Sequence, residues 1–271
     1  MLKISFKDKK VLITGGASGI GKIMVRKALE RGASELIVWD INAKGLEELK
    51  QDFVFFESKI KVYTVDLSNM QELIALANRV KQERGVIDIL INNAGIIVGK
   101  HFLDHTTDEI SRTLLVNSEA LMQTTWAFLP DMLAQNFGAI CNIASSAGLV
   151  SSPKMSVYVA SKWAVVGWSD SIRLELLKKT KEVSVTTIMP YYINTGMFDG
   201  VRSKLLPILD PEKTAEKIIC AVEKRTRMLA MPMPYWFIRL AQGLFPLSLY
   251  EWVMENLFGI YDTMNEFRGR K

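Results

Sequence analysis

The stretch SVYVASKWA, residues 156–164, sets Tyr158 and Lys162 four places apart, which puts both on one face if the segment is helical. A free tyrosine titrates near 10 and holds its proton too tightly for base chemistry at neutral pH. A neighbouring ammonium stabilises phenolate and draws that pKa toward the working range. The same spacing also suits an ordinary polar helix face, so the pair alone leaves both readings open. A second candidate is TGGASGIG, residues 14–21, which follows a strand-like run and opens a helical one. Glycine lets a backbone turn tightly and approach a pyrophosphate, whose charge the helix N-terminus then stabilises. Asp40 ends the next strand-like run, about 20 residues on, where a carboxylate accepts hydrogen bonds from ribose hydroxyls and repels a 2′-phosphate. No Lys or Arg lies inside the glycine turn or directly after Asp40. Both facts favour NAD over NADP.

These groups need a scaffold, and the rest of the chain alternates two patterns. Short apolar runs at residues 10–14, 36–40, 61–66, 87–92, 139–144 and 183–190 read as buried parallel strands. Helical stretches at 20–31, 70–83, 107–134 and 157–179 lie between them. Alternation of this kind predicts an α/β fold: a single doubly wound, Rossmann-type domain over residues 1–271, with a parallel sheet of about seven strands and helices on both faces. Asp210 and Pro211 form a helix start, a capping carboxylate followed by a first-turn proline.

Composition narrows the classes. The 271 residues are 49% hydrophobic and 23% charged, with a net charge of +5. The basic residues are scattered, which argues against nucleic acid as a partner. Cys141 and Cys220 are far apart without metal-type spacing, so free thiols in a reducing compartment are expected. Residues 1–10, MLKISFKDKK, show no apolar leader segment. Together these place the chain in the cytoplasm or peripherally at a membrane surface. His101 and His105 have the i, i+4 spacing of a metal pair but no evident third ligand, so they read as loop residues ahead of a Thr-capped helix and no metal is expected.

The glycine spacing, carried by Thr14, Gly15, Gly19 and Gly21, resembles that of the short-chain dehydrogenase/reductase family. Further matches follow in order: Asp66 closing the third strand, NNAG at residues 92–95, Asn117 within LLVNSEALM, Ser145 after the fifth strand, and the Tyr158/Lys162 pair. The resemblance implies that Ser145 hydrogen-bonds the substrate oxygen and that Tyr158 exchanges its proton. It implies that Lys162 binds the nicotinamide ribose and lowers the Tyr158 pKa, while Asn117 helps hold a proton-relaying water. Offset from Tyr158 selects Ser145 over Ser146, which reads as a loop hydroxyl. Hydride then passes directly between carbinol carbon and nicotinamide. The cofactor positions so implied are Gly15, Ser18, Gly19, Ile20, Gly21, Asp40, Asp66, Leu67, Asn93, Ala94, Gly95, Tyr158, Lys162, Pro190, Ile193 and Thr195.

The family's usual Pro-Gly after the sixth strand is here Pro190-Tyr191-Tyr192, so the substrate pocket is expected to be reshaped. PYYINTGMFDG and LLPILDPEKTAEKI resemble a narrower branch, the retinol and 17β-hydroxysteroid dehydrogenases related to epidermal retinol dehydrogenase. That implies a lipophilic secondary or allylic alcohol, or its ketone, as substrate, with residues 191–209 as substrate loop. A 3-oxoacyl thioester reductase is the second reading, disfavoured by Asp40. A non-catalytic nucleotide-binding protein is the third, disfavoured because no catalytic position is lost. The family implies a homodimer or homotetramer, through the helices at 107–134 and 157–179.

Residues 228–271 form an apolar extension. Residues 228–250 carry one charge, Arg239, but Pro232, Pro234 and Pro246 interrupt any span. A last strand near 228–231 and one or two short helices are expected, either packed on the core or lying on a bilayer surface with Trp236, Phe237 and Phe245 as anchors.

Overall fold

In the computed structural model, residues 3–269 are described. Among them the strands are β1 (Lys10–Thr14), β2 (Glu35–Asp40), β3 (Ile60–Thr64), β4 (Ile89–Asn92), β5 (Gly138–Ile143), β6 (Val183–Pro190) and β7 (Met228–Met231). All pair in parallel, in the order β3-β2-β1-β4-β5-β6-β7. The chain winds outward from β1 in one direction, then returns to β4 and winds outward in the other. The strand order therefore switches between β1 and β4, and a crevice opens beyond their carboxyl ends.

The helices are α1 (Gly19–Glu30), α2 (Ala43–Asp52), α3 (Met70–Arg84), α4 (Thr107–Leu114), α5 (Ala120–Ala134), α6 (Ser156–Lys179), α7 (Pro211–Glu223), α8 (Tyr235–Leu244) and α9 (Leu247–Asn256). Each strand buries both faces. In β1, Val11 and Ile13 join the core layer containing Met24, Val25 and Ile218, whereas Leu12 joins the opposite layer with Leu73, Phe128 and Leu176. Unbroken β-branched runs follow from this two-sided burial. The sheet is thus clamped between α1 and α7 on one face and α3, α5 and α6 on the other.

Two departures from the expected elements bear on the site. The long helix at 107–134 is interrupted by a π-helical turn, Leu115–Glu119, between α4 and α5. The third strand stops at Thr64, so Asp66 stands in the following turn, where its Oδ1 accepts from the Ser68 amide at 2.9 Å and hydroxyl at 2.7 Å. The capped start of α4 is present, with Thr106 and Glu109 in a reciprocal capping box. So is that of α7, where Asp210 accepts from the Lys213 amide.

Candidate active site

The glycine turn is shaped by close approach. Gly15 has φ +66, and a Cβ there would lie 2.8 Å from the Ala94 Cα; one on Gly21 would lie 2.0 Å from the Gly15 carbonyl oxygen. No side chain is small enough for either place. The turn is bound to the end of β4 by Asn93, whose Nδ2 donates to the Thr14 and Gly15 carbonyls at 3.0 and 2.9 Å. The Thr14 hydroxyl accepts from the Asn93 and Ala94 amides in return. Helix α1 then begins with no acidic residue in its first turn. A helix start of this kind offers its amides and dipole to an anion. Asp40 holds the far side of the turn, its Oδ2 accepting from the Ala17 amide at 3.0 Å.

A second constellation forms where β4, β5 and α6 converge. The π-helical turn brings Asn117 inward, fully buried. Its Oδ1 accepts from the Ile96 amide at 2.8 Å, and its Nδ2 donates to the Ile96 carbonyl and the Ser161 hydroxyl at 2.9 and 3.0 Å. That amide joins the loop after β4 to α6, and π-turns recur where a helix must redirect a functional side chain. Gly95 leaves the room this needs, since a Cβ there would sit 3.3 Å from the Asn117 Oδ1 and 3.6 Å from the Lys162 Nζ. Ser145 is oriented from two sides, accepting from the Ala147 amide at 3.1 Å and donating to the Pro190 carbonyl at 3.5 Å.

Tyr158 and Lys162 do share a face of α6, both buried, with the ammonium 5.7 Å from the phenol ring centroid. The expected depression of the phenol pKa is not found. Burial pushes Tyr158 up to about 12, and the Ser145 hydroxyl offsets only part of this. The ammonium donates to the Ile143 carbonyl at 2.9 Å, and burial pushes its own pKa down to about 8. Desolvation, which disfavours both charged forms, outweighs the attraction across this distance.

The residues named from sequence as cofactor-binding all line one cleft of about 260 Å³ along the carboxyl ends of the strands, together with Ser145. Asn117 stands behind its wall. The same cleft is lined by residues the sequence did not single out, including Ile41, Val65 and Arg112, and by Tyr191 and Phe198 of the expected substrate loop. Arg112 reaches Asp66 at 3.4 Å from α4; only the fold brings these two together. Phe198 meets the Tyr158 ring edge-on at 6.1 Å and the Tyr192 ring at 4.9 Å.

Beside the cleft lies a second cavity, of about 180 Å³ and almost wholly apolar. Ser145 and Tyr191 line both. The second cavity runs under α8 and α9, between residues such as Phe237, Ile238, Phe245 and Val253 and the loop after β5.

A doubly wound parallel sheet with a glycine turn at its switch point defines a dinucleotide-binding α/β protein, and Ser145, Tyr158 and Lys162 stand together at its cleft. The short chain dehydrogenase profile matches residues 9–206, and the chain belongs to that family. It is 38% identical over 266 residues to epidermal retinol dehydrogenase 2 of Mus musculus, covering 96% of this chain and 85% of that one. It is 33% identical over 237 residues to estradiol 17-beta-dehydrogenase 11 of Homo sapiens, covering 87% and 79%. Among solved structures, a short chain dehydrogenase/reductase from Burkholderia phymatum in complex with NAD superposes with a TM-score of 0.79 at 25% identity, over 89% of this chain and 95% of that one. A short chain dehydrogenase from Burkholderia cenocepacia in complex with NADP has the same fold, with a TM-score of 0.77 at 23% identity, over 92% and 98%. The retinol and estradiol dehydrogenases of this comparison are of the retinol and hydroxysteroid branch that the residues after β6 resemble.

Proposed function

We propose that this protein is an NAD-linked dehydrogenase interconverting a lipophilic secondary or allylic alcohol and its carbonyl compound. The observation that carries the reading is the junction of the two cavities: a cleft built around a glycine turn meets an almost wholly apolar one at Ser145, beside Tyr158. Glycines that admit no Cβ and a carboxylate at the end of β2 fit a dinucleotide with free ribose hydroxyls, which favours NAD over NADP. Bound NAD supplies the hydride acceptor, or as NADH the donor.

The chain's own groups handle the proton. Ser145 donates to the substrate oxygen. Tyr158 takes the hydroxyl proton of an alcohol or gives one to the oxygen of a carbonyl. With its pKa near 8, Lys162 exchanges protons at neutral pH, which suits passage of Tyr158's proton toward solvent. Asn117 is a positioning residue whose amide fixes the loop after β4 against α6. Residues 191–209 and 228–271 form the substrate side, as loop and lid.

Steady-state assay with NAD and a panel of steroid, retinoid and aliphatic alcohols tests this reading. Turnover is expected with the bulky lipophilic members, and Tyr158→Phe should keep NAD binding while losing about 10²–10⁴-fold in kcat. Near-normal kcat in that variant would remove Tyr158 from its role.

Two surfaces complete the proposal. Trp126 on α5 and Trp163, Leu174 and Leu177 on α6 are exposed, and these helices are proposed to meet a second copy of the chain. The lid helices expose Trp236, Leu240, Leu244, Leu247 and Trp252 and are proposed to rest on a lipid surface.

A further inference from the structure

The hydroxyls around the apolar cavity differ in where their protons go. The Ser203 hydroxyl donates to the Leu206 carbonyl, so the Tyr191 hydroxyl, 3.1 Å away, must donate to the Ser203 oxygen. Likewise the Thr263 hydroxyl donates to the Ile260 carbonyl at 2.8 Å, so the Tyr192 hydroxyl, 2.9 Å away, donates to it. Ser152 donates to the Ile260 carbonyl at 3.1 Å. These three have their protons engaged by the protein, and the two tyrosines add apolar ring surface to the cavity.

Tyr250, on α9 in the opposite, lid-side wall, is different. The Gln242 side-chain nitrogen lies 2.7 Å from the Leu149 carbonyl and 3.4 Å from the Tyr250 hydroxyl. A carbonyl only accepts, so the amide must present its NH₂ group on this side, and its second hydrogen points to the Tyr250 oxygen. Tyr250 therefore accepts from Gln242. No acceptor for its own proton is found among the described residues. Burial holds that proton in place by raising the phenol pKa. The cavity thus has one hydroxyl in its lid-side wall, that of Tyr250, among lid residues that are otherwise apolar.

We infer that Tyr250 is a specificity-determining residue that donates to a second oxygen of the substrate, remote from the reacting carbinol, so that the substrate is a lipophilic alcohol oxygenated at both ends. This rests on the alcohol dehydrogenase reading above and deepens it. A steroid with oxygens on its first and last rings has such an acceptor. Retinol, whose far end is a hydrocarbon ring, does not. A donor left without a partner in an apolar site penalises the ligand that lacks the acceptor.

The test pairs estradiol with its analogue lacking the 3-oxygen, on wild-type protein and on Tyr250→Phe, which retains the ring that packs the lid. Two quantities are measured: Kd by calorimetric titration, and kcat/KM with NAD. Wild type should favour estradiol about 10-fold in both, and the ratio should fall toward one in Tyr250→Phe. A wild-type Kd ratio near one, or a ratio unchanged by the substitution, overturns the role of Tyr250 whether or not turnover occurs. Absence of turnover for every alcohol, with the Kd ratio intact and sensitive to Tyr250, overturns the dehydrogenase reading and leaves the second-oxygen site standing.

Discussion

Lys162 is an ammonium kept where water does not reach, and the cost of holding it there can be measured. Its pKa falls from 10.5 to about 8 through burial. Below both values the folded state carries the full penalty, about 3 kcal/mol at pH 7. As pH rises from 8 to 10.5, the unfolded chain binds more protons than the folded one and stability increases. Lys162→Met should therefore raise the unfolding free energy at pH 7 by about 1–3 kcal/mol, less whatever the Ile143 carbonyl loses with its donor. The gain should shrink at pH 10, and turnover should vanish. Urea unfolding at the two pH values checks this; a variant no more stable than wild type at pH 7 would contradict it. Asp40 offers a second residue-scale measurement. Asp40→Asn keeps an acceptor for the Ala17 amide but removes the charge that repels a 2′-phosphate, so the ratio of kcat/KM for NAD over NADP should fall. An unchanged ratio would show that the carboxylate does not set the preference. Types and spacing made these residues legible, because Thr14, Asp40, Ser145, Tyr158 and Lys162 each stand in a short motif. Tyr158's pKa was not legible, since it depends on the burial of two groups and on an ammonium that turns to a backbone carbonyl.

At the scale of elements, strands were the most legible, because a run such as ELIVWD buried on both faces has no other stable use. Only their ends moved, as at Thr64. The π-turn at Leu115–Glu119 was not foreseen, because its residues have the propensities of any helix and the bend is set by contacts with Ile96 and Ser161. The last strand and one or two short helices after it were legible in an apolar run that prolines interrupt. Their ties to the core were not, since Tyr192 and Thr263 pair across 71 positions. The glycine turn gives the sharpest element-scale prediction. Alanine is intrinsically a better helix former than glycine, so Gly21→Ala should leave α1 intact. Its methyl would nevertheless stand 2.0 Å from the Gly15 carbonyl oxygen and 2.9 Å from the Gly15 carbonyl carbon, both backbone atoms with no freedom to retreat. The turn must open, and NAD affinity should fall at least 10-fold with little change in helix content. Fluorescence titration with NADH and far-ultraviolet circular dichroism measure the two; full NAD affinity would show that the turn yields elsewhere.

Across the whole molecule, the apolar cavity and an exposed apolar face are the two sides of one wall. Helices α8 and α9 turn Ile238, Ala241 and Val253 toward the cavity while Trp236 is 58% exposed, Leu244 68% and Leu247 70%. No helix among the described residues is long and apolar enough to cross a membrane, so contact with lipid would be in the plane of the surface. Exposed tryptophan and leucine on short helices suit that depth, with Arg239 from the same helix near head groups. Deleting the segment would not isolate this property. Ile260 and Met264 are buried with Tyr158 and Tyr192 in one apolar cluster, and their loss would disturb the active site itself. Substituting the outward residues is cleaner. Trp236→Ser combined with Leu244→Ser and Leu247→Ser changes exposed positions only and removes apolar area worth about 25 cal/mol for each Å² withdrawn from water. Intact protein should sediment with liposomes containing anionic lipid. The triple variant should remain largely in the supernatant, with unchanged NAD binding. Its KM for a steroid delivered in those liposomes should rise several-fold, while KM for the same steroid carried by cyclodextrin should not. If wild type also stays in the supernatant, the exposed face has another partner and the cavity fills from solution.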